Sequence, residues 1–135
     1  MSFQPPRRVY ETVLYAEDLD ATTAFYRDVL GLRLVDSSSG LVSAFRVPDG
    51  SMLLIFDPRR SCVAGRPAPS HGAGGAGHVA FQVDGPELET WRARLRQLGI
   101  SIEQDRSDGD ATGQLYFRDP AGNSVELVRG ELWPD

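Results

Sequence analysis

The sequence predicts an α+β fold: two βαβββ repeats forming curved mixed sheets around a central cleft. Three observations carry this. The order strand, helix, three strands occurs twice along the chain. Each helical stripe ends at a glycine, Gly31 and then Gly99. A matching turn precedes the last strand of each copy, at Asp49-Gly50 and at Ala121-Gly122-Asn123. The offset between copies is 67 residues at the first strand (Glu11 to His78), 68 at the helix stop and 72 at the last turn. Self-similarity at a fixed spacing marks a duplicated supersecondary unit.

In the first copy, Val9–Tyr15 mixes β-branched and aromatic residues, as strands do. Asp18 and Asp20 are helix N-cap candidates. Leu19, Thr22, Thr23, Tyr26, Val29 and Leu30 then form a helical stripe that Gly31 closes. Leu32–Val35, Leu41–Val47 and Ser51–Phe56 read as strands, the last two joined by an Asp-Gly turn. In the second copy, His78–Val83 is a strand and Pro86 stands at the start of a helix. Leu88, Trp91, Leu95 and Leu98 fall on one helical face. Ile100–Gln104, Gln114–Arg118 and Ser124–Val128 complete the unit as strands. The chain reads as one domain, 1–135, made of repeat 9–57, linker 58–76 and repeat 77–129.

Composition narrows the function. The chain has 135 residues, 14 Lys plus Arg against 19 Asp plus Glu, and a net charge of −5. Every cation is an arginine, so Schiff-base lysines and a phosphate-loop lysine are excluded. The acidic balance argues against a nucleic-acid partner. No apolar run approaches the roughly 20 residues of a membrane span. No apolar stretch of signal-peptide type opens the sequence. A cytoplasmic, reduced protein is expected. One cysteine, Cys62, excludes an internal disulfide, and two histidines exclude a three-histidine metal site within one chain. Gly72, Gly74 and Gly77 spell G-x-G-x-x-G, but they follow a Pro-rich stretch and precede a strand. The dinucleotide motif needs the reverse context.

The two copies differ where chemistry would sit. The first strand carries Glu11 in one copy and His78 in the other; the last strand carries Leu54 and Glu126. Strands send alternate side chains to opposite faces. His78, Ala80 and Gln82 therefore share a face, and Glu126 shares one with Ser124 and Val128. A carboxylate inside the apolar run Val125-Glu126-Leu127-Val128 needs a compensating cation. If these faces line one concavity, Glu11, His78 and Glu126 can converge.

Several runs resemble the vicinal oxygen chelate superfamily, the glyoxalase, bleomycin-resistance and extradiol dioxygenase group. These are Glu11 with Asp18-Leu19, Ala24-Phe25-Tyr26-Arg27-Asp28-Val29-Leu30-Gly31-Leu32, Gly77-His78-Val79-Ala80-Phe81, and Tyr116-Phe117-Arg118-Asp119-Pro120-Ala121-Gly122-Asn123-Ser124-Val125-Glu126-Leu127. The resemblance spans about Val9 to Arg129 and implies a glyoxalase-like fold. It implies metal ligands at Glu11, His78 and Glu126, with Leu54 in a fourth ligand position that leucine cannot fill. This set resembles the fosfomycin-resistance branch more than glyoxalase I, though Glu11 stands where many members have His.

Two carboxylates and one imidazole suit a divalent ion of Mn, Ni, Zn, Mg or Fe. The implied function is a metal-dependent enzyme acting by Lewis-acid catalysis on a small oxygen-chelating substrate, by isomerase, lyase or transferase chemistry. Glu11 and Glu126 are its candidate proton acceptors. The alternatives are a metal-free antibiotic-binding resistance protein and an Fe(II) dioxygenase. The last is disfavoured because such sites usually pair two His with one carboxylate. Tyr15, Arg46, Leu54, His71, Gln82, Tyr116 and Arg118 are candidate pocket residues. For His71 a solvated loop histidine is weighed against a lid or proton shuttle, and for Arg46 and Arg118 structural ion pairing against anion binding. Family members are commonly homodimers, so one subunit can supply Glu11 and another His78 with Glu126.

Overall fold

The computed structural model describes residues 2–106 and 111–135. The chain divides into two compact units, Met1–Ala73 and Gly74–Asp135. The boundary falls inside the expected linker, so most of that segment belongs to the first unit.

The first unit runs β1 (Glu11–Tyr15), α1 (Leu19–Ala24), a π-helical turn Phe25–Val29, β2 (Arg33–Asp36), β3 (Val42–Arg46), β4 (Met52–Phe56) and α2 (Pro58–Ser61). The second runs β5 (His78–Val83), α3 (Glu87–Gln97), β6 (Gln104–Asp105), β7 (Gly113–Arg118) and β8 (Ser124–Arg129). Each unit holds one four-stranded sheet, ordered β1-β4-β3-β2 and β5-β8-β7-β6. The first pair of each sheet is parallel and the other pairs are antiparallel. The repeat is therefore a repeat of topology as well as of sequence, and the sheets are mixed as expected.

Local chemistry explains the boundaries. Asp18 caps α1 by accepting from the Ala21 N–H at 3.0 Å. Thr22 and Thr23 donate back to the Asp18 and Leu19 carbonyls at 2.9 and 2.6 Å. Such back-bonding disturbs a helix, and α1 relaxes into the π turn, where the Leu30 N–H reaches the Phe25 carbonyl at 3.3 Å. Gly31 and Gly99 end the two helices at φ +73° and +72°. That left-handed conformation is cheap only for glycine.

Three elements depart from the sequence reading. β1 begins at Glu11 rather than Val9, because Val9 and Tyr10 stay exposed. Of the segment Ile100–Gln104 only Gln104 joins a strand, the two-residue β6 that continues to Asp105. The stretch expected to be a plain linker contains α2, started by the Asp57 carboxylate on the Arg59 N–H and by Pro58 in the first turn.

The helices cover one face of each sheet: α1 packs on β3 and β4, α3 on β7 and β8. Leu14, Tyr26, Phe45, Leu53 and Ile55 form the first core; Leu88, Leu95, Leu115, Phe117, Val125 and Leu127 form the second. Strand alternation then leaves the other face of each sheet to Glu11, Val13 and Tyr15 in β1 and to His78, Ala80 and Gln82 in β5. Among the described residues no helix is long and apolar enough to cross a membrane.

Candidate functional site

The strand register sets the candidate residues on these open faces. In the second unit, Ala80, Glu126 and Tyr116 lie side by side across β5, β8 and β7. His78, Ser124 and Arg118 form the adjacent row. In the first unit the corresponding rows are Val13, Leu54, Ala44 and Glu11, Met52, Arg46. Leu54 therefore occupies the register position of Glu126, and Glu11 that of His78.

His78 and Glu126 meet. Nε2 of His78 stands 3.3 Å from Oε1 of Glu126, with the imidazole half exposed and the carboxylate largely buried. Nδ1 of His78 lies 3.1 Å from the Ser124 carbonyl. A carbonyl only accepts, so Nδ1 carries a hydrogen, and in the neutral ring Nε2 then offers a lone pair. That lone pair faces an anionic oxygen. The contact becomes favourable with a cation between the two, either a proton or a metal ion. Two ligands at right angles around a divalent ion at 2.0–2.2 Å are separated by about 3 Å. An imidazole fixed by its second nitrogen on a backbone carbonyl is also how protein metal sites orient histidine. The pair thus fits a metal in chemistry and spacing.

Tyr116 extends the pair. It is the register neighbour of Glu126 on β7. Burial, and then the charge of Glu126, push the phenol above its ordinary range, while Arg106 opposes this in part. A raised phenol pKa means that the folded state holds the proton more tightly than the unfolded chain. The stability tied to this group is complete below the unfolded value and is lost as pH climbs through the folded one. Alkaline unfolding curves should accordingly fall more steeply for wild type than for Tyr116→Phe. Ultraviolet difference titration should place the missing phenol among the last to ionise, and coincident curves would contradict this.

The turn before β8 anchors the pair. The Ala121 and Asn123 N–H groups both donate to Asp119 at 2.9 Å. Asn123 Nδ2 donates to the other Asp119 oxygen, and Asn123 Oδ1 accepts the Gly77 N–H at 2.7 Å. Asp119 and Asn123 are buried. The residue before His78 is thereby tied to the residue before Ser124. Sequence reasoning noted Asp119 and Asn123 only as part of a motif. The signal was available in two polar residues flanking Pro-Ala-Gly ahead of an apolar strand.

The remaining candidates divide. Arg46 and Arg118 hold equivalent turns, donating to the Gly50 and Gly122 carbonyls at 3.0 and 3.1 Å. Arg118 also forms a two-point ion pair with Glu103, at 2.6 and 3.0 Å. That pair holds the Glu103 carboxyl below its ordinary range. Both arginines thus have structural partners. Gln82 donates to the Gly130 carbonyl and to Glu131. Glu11 is exposed at the start of β1, and Leu54 is half-buried in β4. Tyr15 and His71 meet in the first unit, hydroxyl to Nδ1 at 2.7 Å. Among the described residues no group of three or more His, Cys, Asp or Glu side chains gathers closely enough to hold a metal ion. His78 with Glu126 is therefore a two-donor nucleus.

Residues 8–127 match the family model of the Glyoxalase/Bleomycin resistance protein/Dioxygenase superfamily. A solved structure of lactoylglutathione lyase from Agrobacterium tumefaciens is 44% identical with a TM-score of 0.90; the match covers 98% of this chain and 100% of that one. Lactoylglutathione lyase of Schizosaccharomyces pombe is 27% identical over 90% of this chain and 47% of its own. Fosfomycin resistance protein FosX of Listeria innocua is 26% identical over 88% and 86%. The chain spans between 37% and 62% of the length of three of the curated relatives it matches.

Proposed function

The chain belongs to the glyoxalase, bleomycin resistance protein and dioxygenase superfamily, and on that premise we propose a divalent-metal-dependent enzyme that binds a small substrate through vicinal oxygens. The observation that carries this is the 3.3 Å approach of His78 Nε2 to Glu126, with Nδ1 committed to the Ser124 carbonyl. In this reading His78 and Glu126 would hold the metal, and Glu11 would be a third donor. The bound ion supplies Lewis-acid polarisation of a substrate oxygen.

The protein's own groups do the rest. Tyr116, the register neighbour of Glu126, is a phenol whose proton burial and the Glu126 charge hold more tightly, and it can keep that proton beside the carboxylate. Glu126 and Glu11 are the candidate proton acceptors for the substrate. The relatives named lactoylglutathione lyase and metallothiol transferase support lyase or transferase chemistry.

A metal-free binding protein is the second reading, favoured by Leu54 in the position of Glu126. Metal-stripped protein should be reloaded separately with Mn²⁺, Ni²⁺, Zn²⁺, Mg²⁺ and Fe²⁺. It is then assayed for lactoylglutathione formation from methylglyoxal with glutathione and for fosfomycin loss. Metal-dependent turnover of either is expected. Tight fosfomycin binding by stripped protein without turnover would favour the second reading.

A further inference from the structure

The first sheet sets two arginines against each other. Across β1, β4, β3 and β2 one row reads Glu11, Met52, Arg46, Arg33. Ser43 and Phe45 are buried on the face that α1 covers, so Arg46 and its register partner Arg33 project from the other face. Partners of this kind have Cβ atoms about 5 Å apart, and like charges placed directly opposite destabilise an antiparallel pair.

The second unit resolves the same position differently. There Arg118 stands where Arg46 stands in the first, and the two-point pair with Glu103 neutralises it. In the first unit no described carboxylate ion-pairs with Arg33 or Arg46. The neighbouring acids are committed to their own turns. Asp36 accepts the Ser38 N–H at 2.9 Å. Asp49 accepts the Ser51 N–H at 2.9 Å and the Ser51 hydroxyl at 2.5 Å. Glu11 lies two strands from Arg46, which is about 10 Å.

The turn between β3 and β4 fixes Arg46. Its Nη1 donates to the Gly50 carbonyl at 3.0 Å. That is the guanidinium's one hydrogen bond to a described residue, out of five N–H donors. Arg8 joins the same turn by donating to the Asp49 carbonyl at 3.4 Å, and the Asp49 charge stands beside it.

We propose that Arg33 and Arg46 form an anion site for a dianionic phosphoryl group, either free phosphate or the phosphoryl end of a small monoester. The planar guanidinium fork matches such an oxyanion with paired N–H···O bonds. Two forks from neighbouring strands supply two positive charges, which a dianion balances and a single carboxylate does not. The site lies wholly within the first unit and does not depend on the metal reading.

Inorganic phosphate, titrated into the full-length protein at constant ionic strength and followed by amide resonances, tests this. Saturable binding at about 1 mM or tighter is expected, with the shifts centred on Arg33, Arg46 and Gly50. Arg33→Gln and Arg46→Gln should each weaken it by about tenfold or more. Arg33 is exposed on the edge strand, so its variant tests the site even if Arg46→Gln loosens the turn. Arg96→Gln, an exposed arginine of α3, should leave the affinity within about twofold. Acetate should bind about tenfold more weakly than phosphate or worse. Methyl phosphate separates the two sources: affinity near that of phosphate assigns the site to a monoester, and much weaker binding assigns it to free phosphate. Shifts that do not saturate, affinity that survives Arg33→Gln, or acetate binding as tightly would overturn the proposal. So would affinity lost in the presence of a chelator, which would place the phosphate on a metal ion instead.

Discussion

Asn123→Ala is expected to destabilise the protein by roughly 3–5 kcal/mol. Asn123 is 2% exposed and satisfies two partners in the fold, the Asp119 carboxylate and the Gly77 N–H. Truncation leaves the amide of Gly77 without its acceptor and removes a bond to a charged group. Each loss is worth about 1–3 kcal/mol. For a chain of this size the melting temperature should fall by roughly 10–15 °C, read by circular dichroism. A shift of only a degree or two would mean that solvent replaces the asparagine and that this turn does not hold the start of β5. Because Gly77 precedes His78, the folded variant should also bind metal about 10–100-fold more weakly, the usual effect of losing a group that orients a ligand.

Glu126→Ala should weaken Mn²⁺ binding by more than about 100-fold, since it removes a ligand rather than a group that orients one. Stability should change far less than in Asn123→Ala. Glu126 packs on the open face, and its removal takes a buried carboxylate out of an apolar strand. The free Mn²⁺ signal in electron paramagnetic resonance, followed through a titration, measures the affinity directly. Glu11→Ala in the same titration tests the third donor. A loss comparable to Glu126→Ala places Glu11 on the ion, and an unchanged affinity removes it from the ligand set.

Much of the fold was legible because its signals are local. The glycines that stop the helices, the Asp-Gly and Gly-Asn turns and the doubled strand order are short-range features, and the register that follows from them sets Glu11 opposite Met52 and Ala80 beside Glu126. The α2 helix was hidden although its Asp57-Pro58 start is a recognisable signal, because a Gly- and Pro-rich stretch around it reads as linker. The Ile100–Gln104 prediction meets a strand only at Gln104, because two isoleucines look like a strand whether or not they have a ladder partner.

The candidate site was legible residue by residue, but its contacts were not. The bonds of His78 to Ser124 and of Tyr15 to His71 join residues 46 and 56 positions apart. No periodicity encodes such separations. The arginines show the same limit: Arg46 and Arg118 were visible as strand cations, but only the structure shows each bonded to the carbonyl of its own hairpin turn.

The account stands on a divalent ion held by His78 and Glu126. Plasma mass spectrometry of wild type and His78→Ala, purified together and dialysed against Mn²⁺, Ni²⁺, Zn²⁺ and Fe²⁺, tests it most directly. About one metal ion per chain in wild type, lost in the variant, is the predicted result. Equal metal content in both proteins, or none in either, would contradict it.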